Sequence, residues 1–352
     1  MRIARRFNAG KHPAGLTSPA LDSLLAKAGL LRNLPAHEPG CADGRLTMLP
    51  AFLATVLFSI SVICASRTTR MLGGTTANLY RLCVSTVLLA IWAHTFGKGY
   101  GGGAFAIFFL SGFIGFGVGD LALYQTLPRL GPRLTILMVH CLAAPLAAIT
   151  EWLWLGTGLS SAEIISGFII LTGVGVALAP GEHQHIAPKA LARGIALGLV
   201  AALGQGLGAV VTRKAYGLVK LNGQSIDGGT AAYQRILGGL IFSALPALWL
   251  MKRNRPPAAD SVVGAEIGSQ RRSLWLWVLV NSLTGPTLGV GCYQWALENN
   301  PSGVVLPVVA TTPIVVIPFA YWFEGDRPGA RSLVGGIVAV AGAIALALSR
   351  VG

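Results

Sequence analysis

Ten long apolar runs, separated by short polar or glycine-rich connections, make up most of the chain after residue 47. They span residues 48–65, 76–96, 103–125, 132–155, 162–180, 191–212, 230–251, 273–296, 302–323 and 332–350. Each has close to the roughly 17 to 25 residues that a helix needs to cross a bilayer. The runs lack the alternation of polar and apolar residues typical of membrane barrels. Because lipid tolerates only these two spanning structures, the pattern predicts an all-α integral membrane protein with ten transmembrane helices.

The second half of this pattern repeats the first. Tyr124 and Gln125 recur 169 residues later as Tyr293 and Gln294. Further residues recur at the same distance, namely Pro132, Gly156, Gly167 and Gly173, as Pro301, Gly325, Gly336 and Gly342. A constant offset of this kind indicates a duplicated structural unit.

The duplication extends upstream of these residues. Arg81 recurs as Arg235, 154 residues later, and the connection at 252–272 is 15 residues longer than its counterpart at 97–102. Both halves therefore carry five predicted helices. An odd number of helices makes the second half enter the membrane from the opposite side, so the sequence predicts two inverted repeats.

These patterns divide the chain into four parts. The first repeat occupies residues 48–180, the second occupies 191–350, and a loop at 181–190 joins them. A basic tail, residues 1–47, precedes both repeats, and we expect it to be disordered. Met48, at the edge of the first run, is an alternative start.

Composition agrees with a membrane protein. Hydrophobic residues make up 53% and charged residues 11% of the chain, which leaves too little polar surface to cover a soluble particle. The net charge of +14 is spread over the loops and the tail, as is usual for cations that flank membrane spans, so we do not expect nucleic-acid binding. Without the tail, the distribution of positive charge favours termini outside the cell.

Several motifs resemble one family of membrane proteins. They are the early arginine in the second helix of each half, Gly119–Asp120 followed by Tyr124 and the Leu130–Gly131 turn, and the ending with Pro313, Glu324–Gly325, Gly335–Gly336 and Gly342. Over about residues 48–350, the chain resembles the EamA-like branch of the drug/metabolite transporter superfamily. The resemblance implies cytoplasmic termini, and we follow it on this point.

One departure from the family concerns its acids. The family often has an acid just after the fourth helix of each half, but the position equivalent to Glu324 is Leu155. Glu151 lies about one helical turn earlier and could substitute for it at a slightly different depth.

Charges inside the spans are candidates for function because they are unfavourable in hydrocarbon. Arg81 and Arg235 lie at equivalent depths. They could extend towards lipid phosphates or helix-end carbonyls, or they could attract an anionic substrate or gate a cavity.

Asp120 is the deepest acid, and its equivalent in the second half is Gly289. An acid present in one half only could carry a proton or pair with a cationic substrate. The alternative is a structural pair with Arg129 or Arg133 just beyond the helix end, or an interfacial position in contact with water.

His140 and the two tyrosine–glutamine pairs complete the candidates. His140 lies near the middle of the fourth run, where an imidazole could exchange protons or bond across a helix contact. The pairs Tyr124–Gln125 and Tyr293–Gln294 could offer hydroxyl and amide groups to a substrate, or the tyrosines could anchor helices at the membrane interface.

Duplicated membrane domains of this kind are usually transporters. We therefore expect a secondary transporter of the cell (inner) membrane that exports a small polar or amphipathic metabolite, coupled to protons or by exchange. Its expected partners are this small-molecule substrate and the lipid bilayer, and a homodimer is left open. We expect no enzyme activity, because catalysis at the GxGD pattern ending at Asp120 would need a second membrane aspartate, and the spans contain none. We also expect no cofactor and no metal. The alternative function is a non-transporting scaffold or lipid-interacting protein.

Overall fold

The computed structural model describes residues 49–155, 160–178, 187–253, 264–299, 302–325 and 329–349, and these ranges are mostly helical, without strands. The expectation of an all-α fold is confirmed. The tail at 1–47 and most of the loop at 181–190 lie outside the described residues.

Twelve α-helices and two π-helices follow one another in the described chain. The α-helices are α1 (Leu49–Leu72), α2 (Gly74–Thr95), α3 (Phe105–Gly112), α4 (Asp120–Leu155), α5 (Ser161–Ala177), α6 (Pro188–Leu221), α7 (Gly228–Arg253), α8 (Gly264–Ser282), α9 (Leu288–Asn299), α10 (Ser302–Val309), α11 (Thr312–Glu324) and α12 (Ala330–Leu348). The π-helix π1 (Phe113–Gly119) joins α3 to α4, and π2 (Leu283–Thr287) joins α8 to α9.

Among the described residues, five helical stretches are long and apolar enough to cross a membrane. They are Leu49–Leu72, Gly74–Thr95, Phe105–Trp154, Pro188–Leu221 and Gly228–Trp249. Other predicted runs form shorter or interrupted helices, and ten separate spans stay a prediction. Large apolar side chains on these helices face outward, with Phe168 66% and Trp322 72% exposed. Exposed apolar surface of this kind is typical of a protein that faces lipid.

The third and fourth predicted runs form one helical path with a sharp break. The stretch Phe105–Trp154 covers 50 residues and breaks at Gly131, where φ is 74° and ψ is 169°. Glycine adopts this backbone conformation without strain, and Pro132 supplies no N–H to continue the helix. The break lies between the predicted runs 103–125 and 132–155.

The two π-helices occupy equivalent places in the two halves. Shifted by the repeat offset of 169 residues, π1 overlaps π2. Glycines interrupt π1, and Gly285 and Pro286 interrupt π2, so both segments have residues that weaken a regular α-helix. Such π segments often mark functional sites, and here both adjoin the cavity described below.

Glycines allow the helices to cross closely at the junction of the halves. An added Cβ at Gly112 would lie 1.7 Å from the backbone oxygen of Arg235, and one at Gly119 would lie 3.2 Å from the Cα of Gly204. Small residues in the third run therefore permit a close approach of helices at these two positions.

Candidate functional site

A central cavity lies where the two halves of the chain meet. Its empty space is about 830 Å³, counting the part open to solvent. Four pairs of lining residues occupy equivalent positions in the two repeats: Arg81 with Arg235, Phe116 with Gly285, Tyr124 with Tyr293, and His140 with Val309. The cavity therefore lies where an inverted repeat is expected to place a substrate site.

Arg81 and Asp120 form a buried ion pair at this cavity. Arg81 Nη2 lies 2.5 Å from Asp120 Oδ2 and 3.0 Å from Asn78 Oδ1. The guanidinium carbon of Arg81 lies 4.7 Å from the centre of the Tyr124 ring. The second oxygen of Asp120 accepts a hydrogen bond from Gln205 Nε2 at 3.3 Å. Both carboxylate oxygens are therefore satisfied by the protein.

These contacts correct two sequence-based interpretations. Arg81 and Arg235 are only 7% and 3% exposed, so neither extends to a lipid phosphate at the membrane surface. Asp120 pairs with Arg81 and not with Arg129 or Arg133. Arg129 lies nine residues further along the helix, about 13 Å at the usual rise, and it donates to a backbone carbonyl one turn earlier.

Arg235 has different surroundings from its equivalent Arg81. Within the described part of the chain its guanidinium forms no ion pair, and its buried Nε lacks an acceptor. The guanidinium carbon lies 5.3 Å from the centre of the Phe116 ring. The position equivalent to Asp120 is Gly289, where an added Cβ would lie 2.4 Å from a backbone carbonyl oxygen. An acid at that position would therefore require the helix to move.

The two tyrosines of the repeat lie inside the protein. Tyr124 and Tyr293 are 1% and 5% exposed, so they are not anchors at the membrane interface. The Tyr124 hydroxyl accepts a hydrogen bond from Asn281 Nδ2 at 2.7 Å, and Ser61 Oγ donates to Asn281 Oδ1 at 2.8 Å. The Tyr293 ring packs edge-on against Phe58, with the ring centres 6.2 Å apart.

His140 lies beside a break in the predicted run 302–323. α10 ends at Val309 and α11 begins at Thr312, which frees backbone carbonyls that lipid could not satisfy. His140 Nδ1 lies 3.3 Å from the Val309 carbonyl oxygen. Since a carbonyl can only accept, Nδ1 carries the hydrogen. The interpretation of His140 as a bond across a helix contact is supported, and Nε2 is the nitrogen that can take up a proton.

Gln125 and Gln294 do not line the cavity. Gln125 Nε2 donates to Thr75 Oγ1 at 2.7 Å. Gln294 is fully buried, and its amide has no hydrogen-bond partner among the described residues. Each glutamine follows a cavity tyrosine by one residue. Because one residue turns a side chain by about 100° around the helix axis, the glutamine does not line the cavity together with the tyrosine.

Glu151 and Glu324 also lie away from the cavity, and they have different partners. Glu151 Oε1 lies 3.4 Å from Arg213 Nη1, which joins α4 to α6. Glu324 Oε2 lies 2.8 Å from Arg70 Nη2, which joins the end of α11 to the end of α1. The two acids are therefore not equivalent members of a pair.

Four polar residues of the site are not among the sequence-based candidates: Ser61, Asn78, Gln205 and Asn281. Each is a polar residue inside an apolar run, and that signal was present in the sequence. Their partners were not predictable, because the hydrogen bonds join residues as far as 220 positions apart.

A helical chain whose two similar halves enclose a buried charged cavity has the features of a duplicated membrane transport protein. The chain matches the EamA-like transporter family at residues 45–179 and 192–348. It belongs to that family, and it is a multi-pass membrane protein of the drug/metabolite transporter type.

A solved structure described as "Crystal structure of protein" shares the fold. Its sequence is 17% identical, the similarity covers 87% of this chain and 97% of that chain, and the TM-score is 0.57. No curated protein matches this chain.

Proposed function

We propose that this protein is a secondary transporter that exports a small metabolite through the cell (inner) membrane by alternating access. Ten helices in two inverted five-helix repeats, residues 48–180 and 191–350, form the transport unit. The central cavity carries the proposal, since four pairs of equivalent residues from the two halves line it. In inverted-repeat transporters, rocking of one repeat against the other exposes such a site to each side in turn.

Contacts at the helix ends support the inverted arrangement. Arg70, at the end of α1, pairs with Glu324, at the end of α11. Lys98, in the connection between α2 and α3, donates from its backbone N–H to Thr230 Oγ1, near the start of α7, at 3.1 Å. A ten-helix inverted topology requires the first contact on one side of the membrane and the second on the other.

Coupling to protons, or exchange of one solute for another, is supported by the buried pair Arg81–Asp120. A proton on Asp120 would remove the charge that holds Arg81, and the freed guanidinium could then contact a substrate. By linkage, a substrate that binds Arg81 would favour protonation of Asp120 to the same extent. His140 Nε2 is a second group at the cavity that can take up a proton.

Metabolite release tests the proposal. Cells that carry the intact chain, its Asp120→Asn variant or an empty vector are compared by mass spectrometry of the medium. We expect a solute that is enriched only with the intact chain even when the Asp120→Asn variant is present in the membrane at the same level, because Asp120 takes part in the transport cycle.

Purified protein in lipid vesicles then gives the mechanism. Transport of that solute should be faster with a proton gradient, or with a second solute on the opposite side, than without either. A correctly folded sample that neither moves nor binds a solute would contradict the transporter proposal and favour a scaffold or lipid-interacting protein.

A further inference from the structure

The charges that line the central cavity do not cancel. Among the described lining residues, Arg81 and Arg235 are the arginines and Asp120 is the carboxylic acid. Arg81 is neutralised by Asp120 at 2.5 Å. The described lining therefore carries one net positive charge, and no carboxylate of the described residues forms an ion pair with Arg235.

Arg235 has the environment of an arginine that binds a ligand. It is only 3% exposed, its buried Nε has no acceptor, and among the described residues it forms no ion pair. An unpaired buried cation is unfavourable, so the residue is best explained by an anion that completes the pair during the working cycle.

Glycines provide the space that the guanidinium of Arg235 itself occupies. An added Cβ at Gly115 would lie 3.1 Å from Arg235 Nη2, and one at Gly208 would lie 3.4 Å from it. Gly289, the equivalent of Asp120, is packed so closely that the second half cannot offer a carboxylate from this position without movement. The second half therefore lacks the acid that neutralises Arg81 in the first.

Much of the remaining cavity wall is apolar, and it includes Phe58, Val62, Ile136, Val290 and Leu306. A planar guanidinium binds two oxygens of a carboxylate or phosphate group at once. We propose, on the basis of the transporter function above, that the substrates are small organic anions. Arg235 binds one carboxylate or phosphate head, and the apolar wall contacts the body of the molecule.

Binding to the purified full-length protein in lipid nanodiscs tests this substrate class by isothermal titration calorimetry. The probes are phenylacetate, its uncharged analogue phenylacetamide, phenyl phosphate and inorganic phosphate. We expect phenylacetate or phenyl phosphate to bind about tenfold or more tightly than the amide, because the charge-assisted hydrogen bonds need an anion. Preference for phenylacetate or for phenyl phosphate identifies the head group, and binding of inorganic phosphate alone would overturn the requirement for an apolar body.

Two variants of Arg235 assign the binding to this residue. Arg235→Gln should weaken binding of the anionic probe by about tenfold or more, whereas Arg235→Lys should keep part of it, since lysine retains the charge without the fork. Arg70→Gln, at the end of α1, is the matched control and should bind normally. The melting temperature of each variant checks its fold, and Arg235→Gln should not lower it, because the substitution removes an unpaired charge.

The outcomes separate this inference from the transporter proposal. Equal binding of the acid and the amide, no binding of any acid, or unchanged binding by Arg235→Gln would overturn the anion site. Transport of a neutral solute that does not depend on Arg235 would overturn it too, while the transporter proposal would stand. Anion binding without any transport would keep the site and contradict transport.

Discussion

Arg81 and Arg235 show that equivalent residues of a duplicated chain can have different electrostatic roles. Both are buried at the same cavity, but only Arg81 has a carboxylate partner among the described residues. The difference follows from one position, where the first half has Asp120 and the second has Gly289. A buried pair is sensitive to the loss of one member, since the other then stays buried and charged.

A double-mutant cycle on Arg81 and Asp120 follows from this asymmetry. Asp120→Asn should destabilise the protein, by up to about 3 to 5 kcal/mol, because Arg81 loses its counter-charge. The double variant Arg81→Gln with Asp120→Asn should lose clearly less free energy of unfolding than the two single variants lose in total. Chemical or thermal unfolding in a mild detergent measures the loss for each of the three variants. If the two single losses simply add up to the loss of the double variant, Arg81 and Asp120 are not energetically coupled.

Close helix crossings hold the elements around the cavity. α7 passes so near the junction of α3 and π1 that Gly112 faces the backbone of Arg235. The same helix therefore carries the cavity arginine and forms the crossing. A change at Gly112 would move both, whereas a glycine that faces open space contributes little to packing.

Gly112→Ala and Gly175→Ala are a matched pair of variants that test this helix crossing. The Cβ added at Gly112 would lie 1.7 Å from the Arg235 carbonyl oxygen, whereas the one at Gly175 has nothing within 4 Å. Gly112→Ala should separate the helices and lower both the melting temperature and the folded yield. Gly175→Ala should leave both unchanged or slightly higher, because alanine favours helix by up to about 1 kcal/mol. Equal behaviour of the two variants would contradict the crossing.

Asp227 fixes the connection between α6 and α7. Its Oδ1 accepts hydrogen bonds from the Thr230 backbone N–H at 2.9 Å and from Trp92 Nε1 at 3.0 Å. Burial by itself raises the pKa of Asp227, but these bonds and that from the Thr230 hydroxyl outweigh it and hold the pKa below its ordinary value. The ionised carboxylate is therefore the form that caps α7 and ties it to α2.

The stabilisation by Asp227 should depend on pH. Because its pKa is lower in the folded protein, the contribution is complete above the ordinary aspartate value of about 3.9 and is lost as the pH falls through the folded-state pKa. Asp227→Asn should lower the melting temperature at neutral pH, and the difference from the unchanged protein should shrink in acid. Melting curves across the acid range check this, and a difference that stays constant would argue against the cap.

The duplication of the whole chain was predictable from its sequence, whereas the contacts between its helices were not. A constant offset in the sequence identified Arg81 with Arg235 and Tyr124 with Tyr293, and all four line the cavity. The partner of Asp120 could not be predicted in this way, because it lies on another helix, 39 residues away. The π-helices escaped prediction as well, since a local change of helical pitch leaves the apolar pattern almost unaltered.

Membrane orientation is also a property of the whole molecule, and charge and family disagree about it. Cytoplasmic termini, as the family implies, would place Arg70 outside the cell and Lys98 in the cytoplasm.

Both residues are exposed, so Arg70→Cys and Lys98→Cys can be compared in a chain whose five native cysteines are replaced. With a membrane-impermeant maleimide on intact cells, the cysteine at 70 should react, and the one at 98 should react only after permeabilisation. The reverse pattern would show that the positive charges of the loops set the orientation, whereas full labelling of both sites on intact cells would contradict the inverted ten-helix arrangement itself.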